Sequence, residues 1–496
     1  MKSLTDNSNN IKGLSNISFL IFGIVTTSIL WSIFKLLFPN PNPIFDTYFY
    51  YSAAAENLSV NFWPIGYSKF IQLVIKVSTS AVFIVCLQFL LLQLSLHILF
   101  FSIKHLFKLH ALSAIIFFIC LFYNPLLFLT SNFLISDAIF VPLSIIWFTT
   151  LIWIIYHPNW YLIILQSLLL LLIFTIRYTA LYYPIIATFV FLISPLSVRN
   201  KLIGILLTFG LLGIFYFYTC NKTAEISNGE KQFSVQAGWK LANNALYTYE
   251  YFPMIPVEDV PDRFRNLHAI VNRYFSKPHP KLDIFKIDYT YGSNYLFLKD
   301  SPLKIYMQSI LGMENSMIDL KKMAMVSGLY KDYGLFLINK NPIIFFEHFI
   351  APNALRYFDS PLESYQDPAF FVVYSNQGNG IEKMLVSNNT TISKELTNAW
   401  QKIININSYL ALLIHVLFLG SVLVYFLNYK LLLRDKIIRK TILIIVTIWF
   451  SDFIFMSISG SIVLRYLLFI MVLELTLIIT LINAILSNKK LLLRSN

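Results

Sequence analysis

Long apolar blocks alternate with short polar segments along most of the chain. Residues 81–103, 111–136 and 202–221 contain no Asp, Glu, Lys or Arg. Each block is long enough to cross a hydrocarbon layer of about 30 Å as a helix. The blocks are continuous in Leu, Ile and Phe and do not alternate with polar residues, so they favour helices over the strands of a barrel. The pattern predicts an all-α polytopic membrane protein.

The same pattern places about ten spanning helices along the chain. Their predicted ranges are 17–38, 79–103, 111–130, 138–156, 160–176, 179–196, 202–220, 408–428, 441–458 and 463–486. The first range is too long for a signal peptide and has no A-x-A-like cleavage site after it, so we expect it to remain as a helix. We divide the chain into a transmembrane module with an outer loop, a large domain and the last helices: 1–220 with loop 39–78, 221–407, and 408–496.

Composition and charge support a membrane protein and give its orientation. The 496 residues are 57% hydrophobic and 13% charged, whereas soluble domains carry about 25% charged residues. If the N-terminus is cytoplasmic, nearly every basic cluster between helices is cytoplasmic too, as the positive-inside rule requires. We therefore predict both termini in the cytoplasm, an extracytoplasmic domain at 221–407, and no binding of nucleic acid despite the net charge of +13.

Charged residues recur at the predicted outer ends of four helices. Asp46 follows the first helix, Asp137 begins the fourth, Arg177 ends the fifth and Arg465 begins the last. Asp137 could be a first-turn acid of its helix, and either arginine could extend toward lipid headgroups. Charges at membrane depth are costly, however, and these four share one depth. They favour a common site, in which the arginines would suit a lipid-linked phosphate.

Glu474 is a separate case, because it falls near the middle of the last predicted helix. An acid at this depth predicts either a proton or ion relay or a pair with another polar group of the helix bundle. The sequence does not distinguish the two.

Four short motifs lie at the predicted outer ends of the helices: Phe45-Asp46-Thr47-Tyr48, Trp63-Pro64-Ile65-Gly66-Tyr67, Ser136-Asp137 and Arg177-Tyr178-Thr179-Ala180-Leu181. They resemble those of the GT-C superfamily of membrane glycosyltransferases. The likeness is greatest to the family 39 type, which includes protein O-mannosyltransferases and aminoarabinose lipid A transferases. It covers roughly residues 17–220 and, more weakly, Arg465-Tyr466, whereas 221–407 matches no family pattern. The adjacent Asp-Glu pair common in the mannosyltransferases is absent, because Thr47 follows Asp46.

The resemblance implies an inverting transferase that moves a sugar from a polyprenyl-phosphate-linked donor to a glycan, lipid or protein acceptor on the outer face of the membrane. It implies Asp46 as general base and Arg177 and Arg465 as ligands of the donor phosphate. Contacts to the acceptor or sugar are expected from Asp137, Tyr48, Tyr50, Trp63 and Tyr67. Asp137 could instead hold an arginine in place. No cofactor is predicted with certainty, although two carboxylates could share a divalent metal. Membrane lipids surround the chain, and we expect a bacterial inner membrane.

Two other functions stay open at this point. A transporter or flippase of lipid-linked saccharides would also need charges at membrane depth, but should show internal repeats with broken helices, and no repeat is evident. A glycan polymerase or ligase would act on the same face of the membrane with an oligosaccharide diphosphate donor. A receptor would explain the helices but not the four charges at one depth.

Overall fold

The computed structural model describes residues 16–37, 41–277, 294–313, 319–361, 394–427 and 436–494. These residues form helices and no strand. Their one bridge between extended segments joins Asn42 to Phe133. It ties the loop after the first helix to the loop before the fourth. The predicted all-α polytopic membrane protein is confirmed.

Eight helical segments among the described residues are long and apolar enough to cross a membrane. Two shorter apolar segments, 160–176 and 178–193, complete the ten predicted spans. The spans are formed by α1 (Asn16–Leu37), α4 (Ala81–Leu106), α5 (Ala111–Phe122) with α6 (Pro125–Ser131), α7 (Asp137–Tyr156), α8 (Trp160–Ile176), α9 (Tyr183–Ile193) after a 3-10 turn at Tyr178–Tyr182, α10 (Val198–Ile226), α18 (Lys394–Leu427), α19 (Lys436–Ser459), and α20 (Leu468–Arg494) after a 3-10 turn at Leu464–Leu467. Two short helices, α2 (Phe45–Ala55) and α3 (Gly66–Ile75), occupy the first polar loop.

Contacts between helix ends bring the termini of four spans together. At one end of the bundle, Lys104 near the end of α4 donates to Asn16 at the start of α1 over 2.8 Å. At the same end, the backbone N–H of His110, before α5, donates to Asn483 late in α20 over 2.8 Å. The start of α1, the end of α4, the start of α5 and the later part of α20 therefore lie at one end of the bundle. Which side of the membrane this end faces stays a prediction.

Burial separates the central helices from the peripheral ones. Both α7 and α20 are buried on nearly all sides, whereas α1 and α10 leave most of their apolar side chains exposed. A helix that is apolar all round belongs in a core or in lipid. The ring of Trp147 in α7 stacks on that of Tyr183 in α9 with centroids 4.1 Å apart. Asp137 is the first residue of this buried helix.

The described parts of the segment between α10 and α18 consist of helices joined by turns and short loops. It contains α11 (Val235–Tyr249), α12 (Arg265–Phe275), α13 (Asn294–Phe297), α14 (Pro302–Leu311), α15 (Leu320–Lys340), α16 (Pro342–Phe345) and, after a π-helical turn, α17 (Ala351–Arg356). Its core is the α11–α15 pair, which crosses so closely that a Cβ at Gly238 would overlap the backbone of Ser327. Trp239 donates its indole N–H to the carbonyl of Met323 over 2.9 Å across the pair.

Buried acids hold this segment and the last helices against the bundle. Asp452 in α19 accepts hydrogen bonds from Tyr182, at 2.8 Å, and from Tyr357, which follows α17, at 3.0 Å. Glu474 in α20 accepts from Trp449 over 2.8 Å and lies 2.7 Å from Nδ1 of His415. A buried carboxylate is tolerated when polar partners satisfy it. Both contacts reach Oε1 of Glu474, whereas its buried Oε2 has no hydrogen-bond partner among the described residues. The pairing that the sequence allowed is thus present for one of the two oxygens.

We expect Asp452→Leu to lower the free energy of unfolding by about 2 kcal/mol or more, because two buried tyrosine hydroxyls lose their acceptor. Asp452→Asn keeps one acceptor oxygen and should lose less. Thermal unfolding of the full chain in detergent measures the difference. Thr447→Val, at a half-buried position of the same helix where the hydroxyl donates to the carbonyl of Leu443, is the control. Equal stability of the Leu and Asn variants would contradict the bridging role of this carboxylate.

Candidate functional site

A buried carboxylate joins two arginines where three chain segments meet. Asp137, the first residue of α7, pairs through Oδ1 with Nη1 of Arg177. Its Oδ2 accepts from Nη1 of Arg465 over 2.8 Å. The carboxylate is 2% exposed, and the arginines are 14% and 15% exposed. The sequence predicted that these residues share a site, and the structure brings them into direct contact.

Both arginines are also held by aromatic rings. The guanidinium of Arg177 lies 4.6 Å from the ring centroid of Tyr466 and 5.6 Å from that of Phe140. The guanidinium of Arg465 lies 4.7 Å from the same Tyr466 ring. Cations over aromatic faces are stabilised by the quadrupole of the ring. Arg177 is therefore fixed among one carboxylate and two rings.

Asp46 lies at the start of α2, next to the ion pair between Asp137 and Arg465. Its Oδ2 lies 3.9 Å from Nη2 of Arg465, and its side chain is 21% exposed. Thr47 positions the helix start: its hydroxyl accepts from the N–H of Ile44 over 2.9 Å and donates to the carbonyl of Leu134 over 2.9 Å. Because Leu134 lies just before α7, this bond holds Asp46 near Asp137.

Burial raises the pKa of Asp46 above its ordinary value, and the positive charge of Arg465 opposes the rise. The carboxylate of Asp137 raises this pKa further, whereas Arg177 and Lys240 lower it. A carboxylate with a raised pKa is a stronger base in its ionised form. Asp46 is thus suited to accept a proton from a group bound beside it.

A cavity of about 750 Å³ opens in front of these charges. The charged residues on its wall are Asp46, Arg177, Lys240 and Arg465. Its other walls are largely apolar and include Leu181, Ile454 and Ile458, which are 58%, 43% and 47% exposed. These three side chains lie on the spans 178–193 and 438–459. The cavity therefore connects a charged pocket to surface that faces lipid in a membrane.

The predicted aromatic contacts fall into two groups. Tyr50 and Trp63 line the cavity. Tyr50 donates to the hydroxyl of Ser136 over 3.1 Å, and Trp63 stacks on Phe49 with ring centroids 4.9 Å apart. A ring on a cavity wall offers a face on which a sugar can stack.

Tyr67 and Tyr48 are placed differently from Tyr50 and Trp63. Tyr67 is fully buried behind Tyr50 and donates to Gln88 over 2.7 Å. Tyr48 packs edge-on against Phe49 with centroids 5.3 Å apart. Neither side chain is among those that line the described cavity. Both stand in positions that support the wall.

Lys240 was not singled out by the sequence, yet it lines the cavity from α11. Its side chain passes over Gly460, where a Cβ would lie 2.5 Å from Cε and 2.9 Å from Nζ of the lysine. Burial lowers the pKa of Lys240, and the negative charge of Asp46 opposes the fall. Among the described residues, no carboxylate oxygen lies within 4.0 Å of Nζ of Lys240. No local motif marks this lysine, because α11 belongs to the segment that resembles no family pattern.

Two further observations concern relatives and metals. No family model, curated protein or solved structure matches the chain. Within the described ranges no group of three or more His, Cys, Asp and Glu is placed to hold a metal ion. The sequence left open that two carboxylates share a divalent metal. Among the described residues, the structure supplies no further ligands for such a site.

We expect Asp137→Asn to lower the free energy of unfolding by about 3 kcal/mol or more, because two largely buried arginines lose their counter-charge. Glu225→Gln is the matched control, since this acid is 60% exposed in its pair with Lys222 and exposed pairs contribute at most about 1 kcal/mol. Thermal unfolding in detergent compares the two variants. Equal, small losses would show that Asp137 does not hold the helix ends together.

Proposed function

We propose that this protein is an inverting glycosyltransferase that moves a sugar from a polyprenyl phosphate to an acceptor hydroxyl. The observation that supports it most is the combination of Asp46 with three cations on one wall of a cavity whose other walls are apolar. A lipid-linked sugar phosphate matches this cavity in its polarity, since its tail is apolar and its headgroup is anionic. The proposal places the chain with the GT-C glycosyltransferases of the family 39 type.

Asp46 is the general base in this reaction. The acceptor oxygen bonds to the anomeric carbon while its proton passes to the carboxylate of Asp46, which lies 3.9 Å from Arg465. The bond from the anomeric carbon to the phosphate oxygen breaks, and its electron pair stays on that oxygen. Attack from the face opposite the leaving phosphate inverts the configuration of the carbon. Fixed cations stabilise the negative charge that develops on the phosphate.

The remaining residues of the site bind and position the reactants. Arg465 is shared between Asp137 and Asp46, so it links the stable core of the site to the reacting groups. Trp63 and Tyr50 offer ring surfaces to the sugar. The exposed side chains of Leu181 and Ile458 lead the lipid tail from the cavity into the membrane.

The location belongs to the same proposal. The end of α4, which carries Lys104, lies beside the start of α1. The positive-inside rule assigns that end to the cytoplasm. The cavity then opens at the outer face, where acceptors of the cell envelope are found. An inner bacterial membrane fits this arrangement.

The assay combines purified protein in nanodiscs with a panel of radiolabelled polyprenyl-phosphate sugars and with membrane and periplasmic extracts as acceptors. We expect Asp46→Asn to reduce label transfer by a factor of about 100 or more, since general-base catalysis contributes about 10²–10⁴-fold. Glu56→Gln, at an exposed acid beside the end of α2, should transfer normally.

Two outcomes count against the proposal. Equal transfer by Asp46→Asn and wild type removes Asp46 as the base. No transfer by folded wild type across the whole panel favours a transporter or flippase, or a polymerase that takes a diphosphate donor.

The pH dependence of transfer should follow the ionisation of Asp46. A general base works in its ionised form, so the rate rises with pH through the pKa of Asp46, which burial places above its ordinary value of about 4. Lys240→Gln removes a cation that lowers this pKa. The acid limb of the pH–rate profile should therefore lie at higher pH in this variant than in the wild type. The charged and titratable groups that face Asp46 are Arg465, Asp137, Arg177, Lys240 and Tyr50.

The measurement is the initial rate between pH 4 and 9, with Lys331→Gln as control because Lys331 is exposed on α15. If the acid limb of the pH–rate profile lies at the same pH in Lys240→Gln and in the wild type, the electrostatic coupling between Lys240 and Asp46 is contradicted.

A further inference from the structure

The three cations on the cavity wall differ in how far acids already satisfy them. Arg177 pairs with one oxygen of Asp137, and Arg465 donates to the other. Arg465 also lies within 3.9 Å of Asp46. Lys240 has no carboxylate within 4.0 Å among the described residues. The lysine is therefore the cation whose charge is least neutralised by the protein.

The charge balance of the site points in the same direction. Three cations, Arg177, Lys240 and Arg465, line the cavity, and the two acids of the site are Asp46 and Asp137. With all five groups ionised, the sum is 3 − 2 = +1. A cation taken out of bulk water without a counter-charge is costly. One additional negative charge, brought by a ligand, would balance the site.

The backbone around Lys240 fixes the direction of its side chain. Asn244, one turn later on α11, donates to the carbonyl of Ser459 over 3.2 Å. This bond seats α11 on the end of α19. The absence of a side chain at Gly460 leaves the space that the end of the lysine occupies. The ammonium is thereby held at the cavity wall.

We propose that Lys240 is the residue that binds the phosphate of an anionic lipid in this cavity, with Arg465 as its second cation and Arg177 as the support that keeps Arg465 in place. This assignment deepens the proposed function by naming the residue that binds the phosphate. The role of this phosphate as a leaving group rests on the proposed function. Binding of a lipid phosphate can be tested without any transfer reaction.

The test measures equilibrium binding of radiolabelled farnesyl phosphate, and of farnesol, to the purified full chain in detergent. We expect Lys240→Gln to weaken binding of farnesyl phosphate by a factor of about 10 or more, as the loss of a charged hydrogen bond implies. Binding of farnesol should not change, because it lacks the phosphate. Lys331→Gln, at an exposed lysine of the neighbouring helix α15, should bind both ligands as wild type does.

Gly460→Ala tests the position of the lysine without removing its charge. The added methyl group would lie where Cε and Nζ of Lys240 now lie, and alanine rarely adopts the φ of +158° that Gly460 has, so the turn or the ammonium must move. We expect severalfold weaker binding of farnesyl phosphate and unchanged binding of farnesol. Lys240→Arg keeps a cation on α11 and should retain more binding than Lys240→Gln. Thermal unfolding of each variant checks that it is folded.

Each outcome separates this inference from the proposed function. Wild-type binding of farnesyl phosphate by folded Lys240→Gln overturns the inference, even if the wild type transfers sugar. Equal losses for farnesyl phosphate and farnesol also overturn it, because they indicate a structural role of the lysine. Selective loss of farnesyl phosphate supports it, and does so even if no sugar is transferred, in which case the glycosyltransferase proposal alone fails.

Discussion

The ion pairs of Asp137 are the interaction on which the rest of the site depends. Removing a carboxylate and two guanidinium groups from water costs several kcal/mol per ion unless geometry and hydrogen bonds are good. The direct contacts of Asp137 with Arg177 and Arg465 meet this condition. Since the three residues belong to α7, the end of α8 and the turn before α20, their pairing fixes three helix ends at once. The same pairing leaves two cations for one acid, so the surplus positive charge is available to Asp46 and to a ligand.

This division explains how one charged cluster can serve both stability and chemistry. Arg177 contacts Asp137 and two aromatic rings, so it is committed to the fold. Arg465 is shared between the structural acid and Asp46. Lys240 is the least committed of the three to acids of the protein. Groups that must bind a ligand cannot be fully satisfied by the protein itself, and in this site Lys240 is the cation that the acids of the protein neutralise least.

The sequence was informative where a single physical constraint decides the outcome. Length and apolarity predicted the spans, and alternation of the helices brought Asp46, Asp137, Arg177 and Arg465 to one end of the bundle. The sequence could not predict that Asp137 takes both arginines, because this depends on how three helix ends pack. Lys240 was missed for a related reason: α11 is not a span, so no rule of membrane depth places its residues. A motif likewise does not tell which ring faces a cavity, and Tyr67 turns its hydroxyl to Gln88.

The order of elements along the chain has a consequence for the proposed reaction. The segment after α10 supplies α11 to the cavity before the chain returns as α18, α19 and α20, so the wall is completed by a helix that is not a membrane span. Asp452 fastens this segment to the bundle through Tyr357 and holds the cavity residue Tyr182 with its other oxygen. In the proposed reaction, the lipid tail of the donor enters the cavity past Leu181 and Ile458, which line it and are exposed. Asp46 on α2 then acts on the acceptor, and Lys240 on α11 binds the phosphate of the donor.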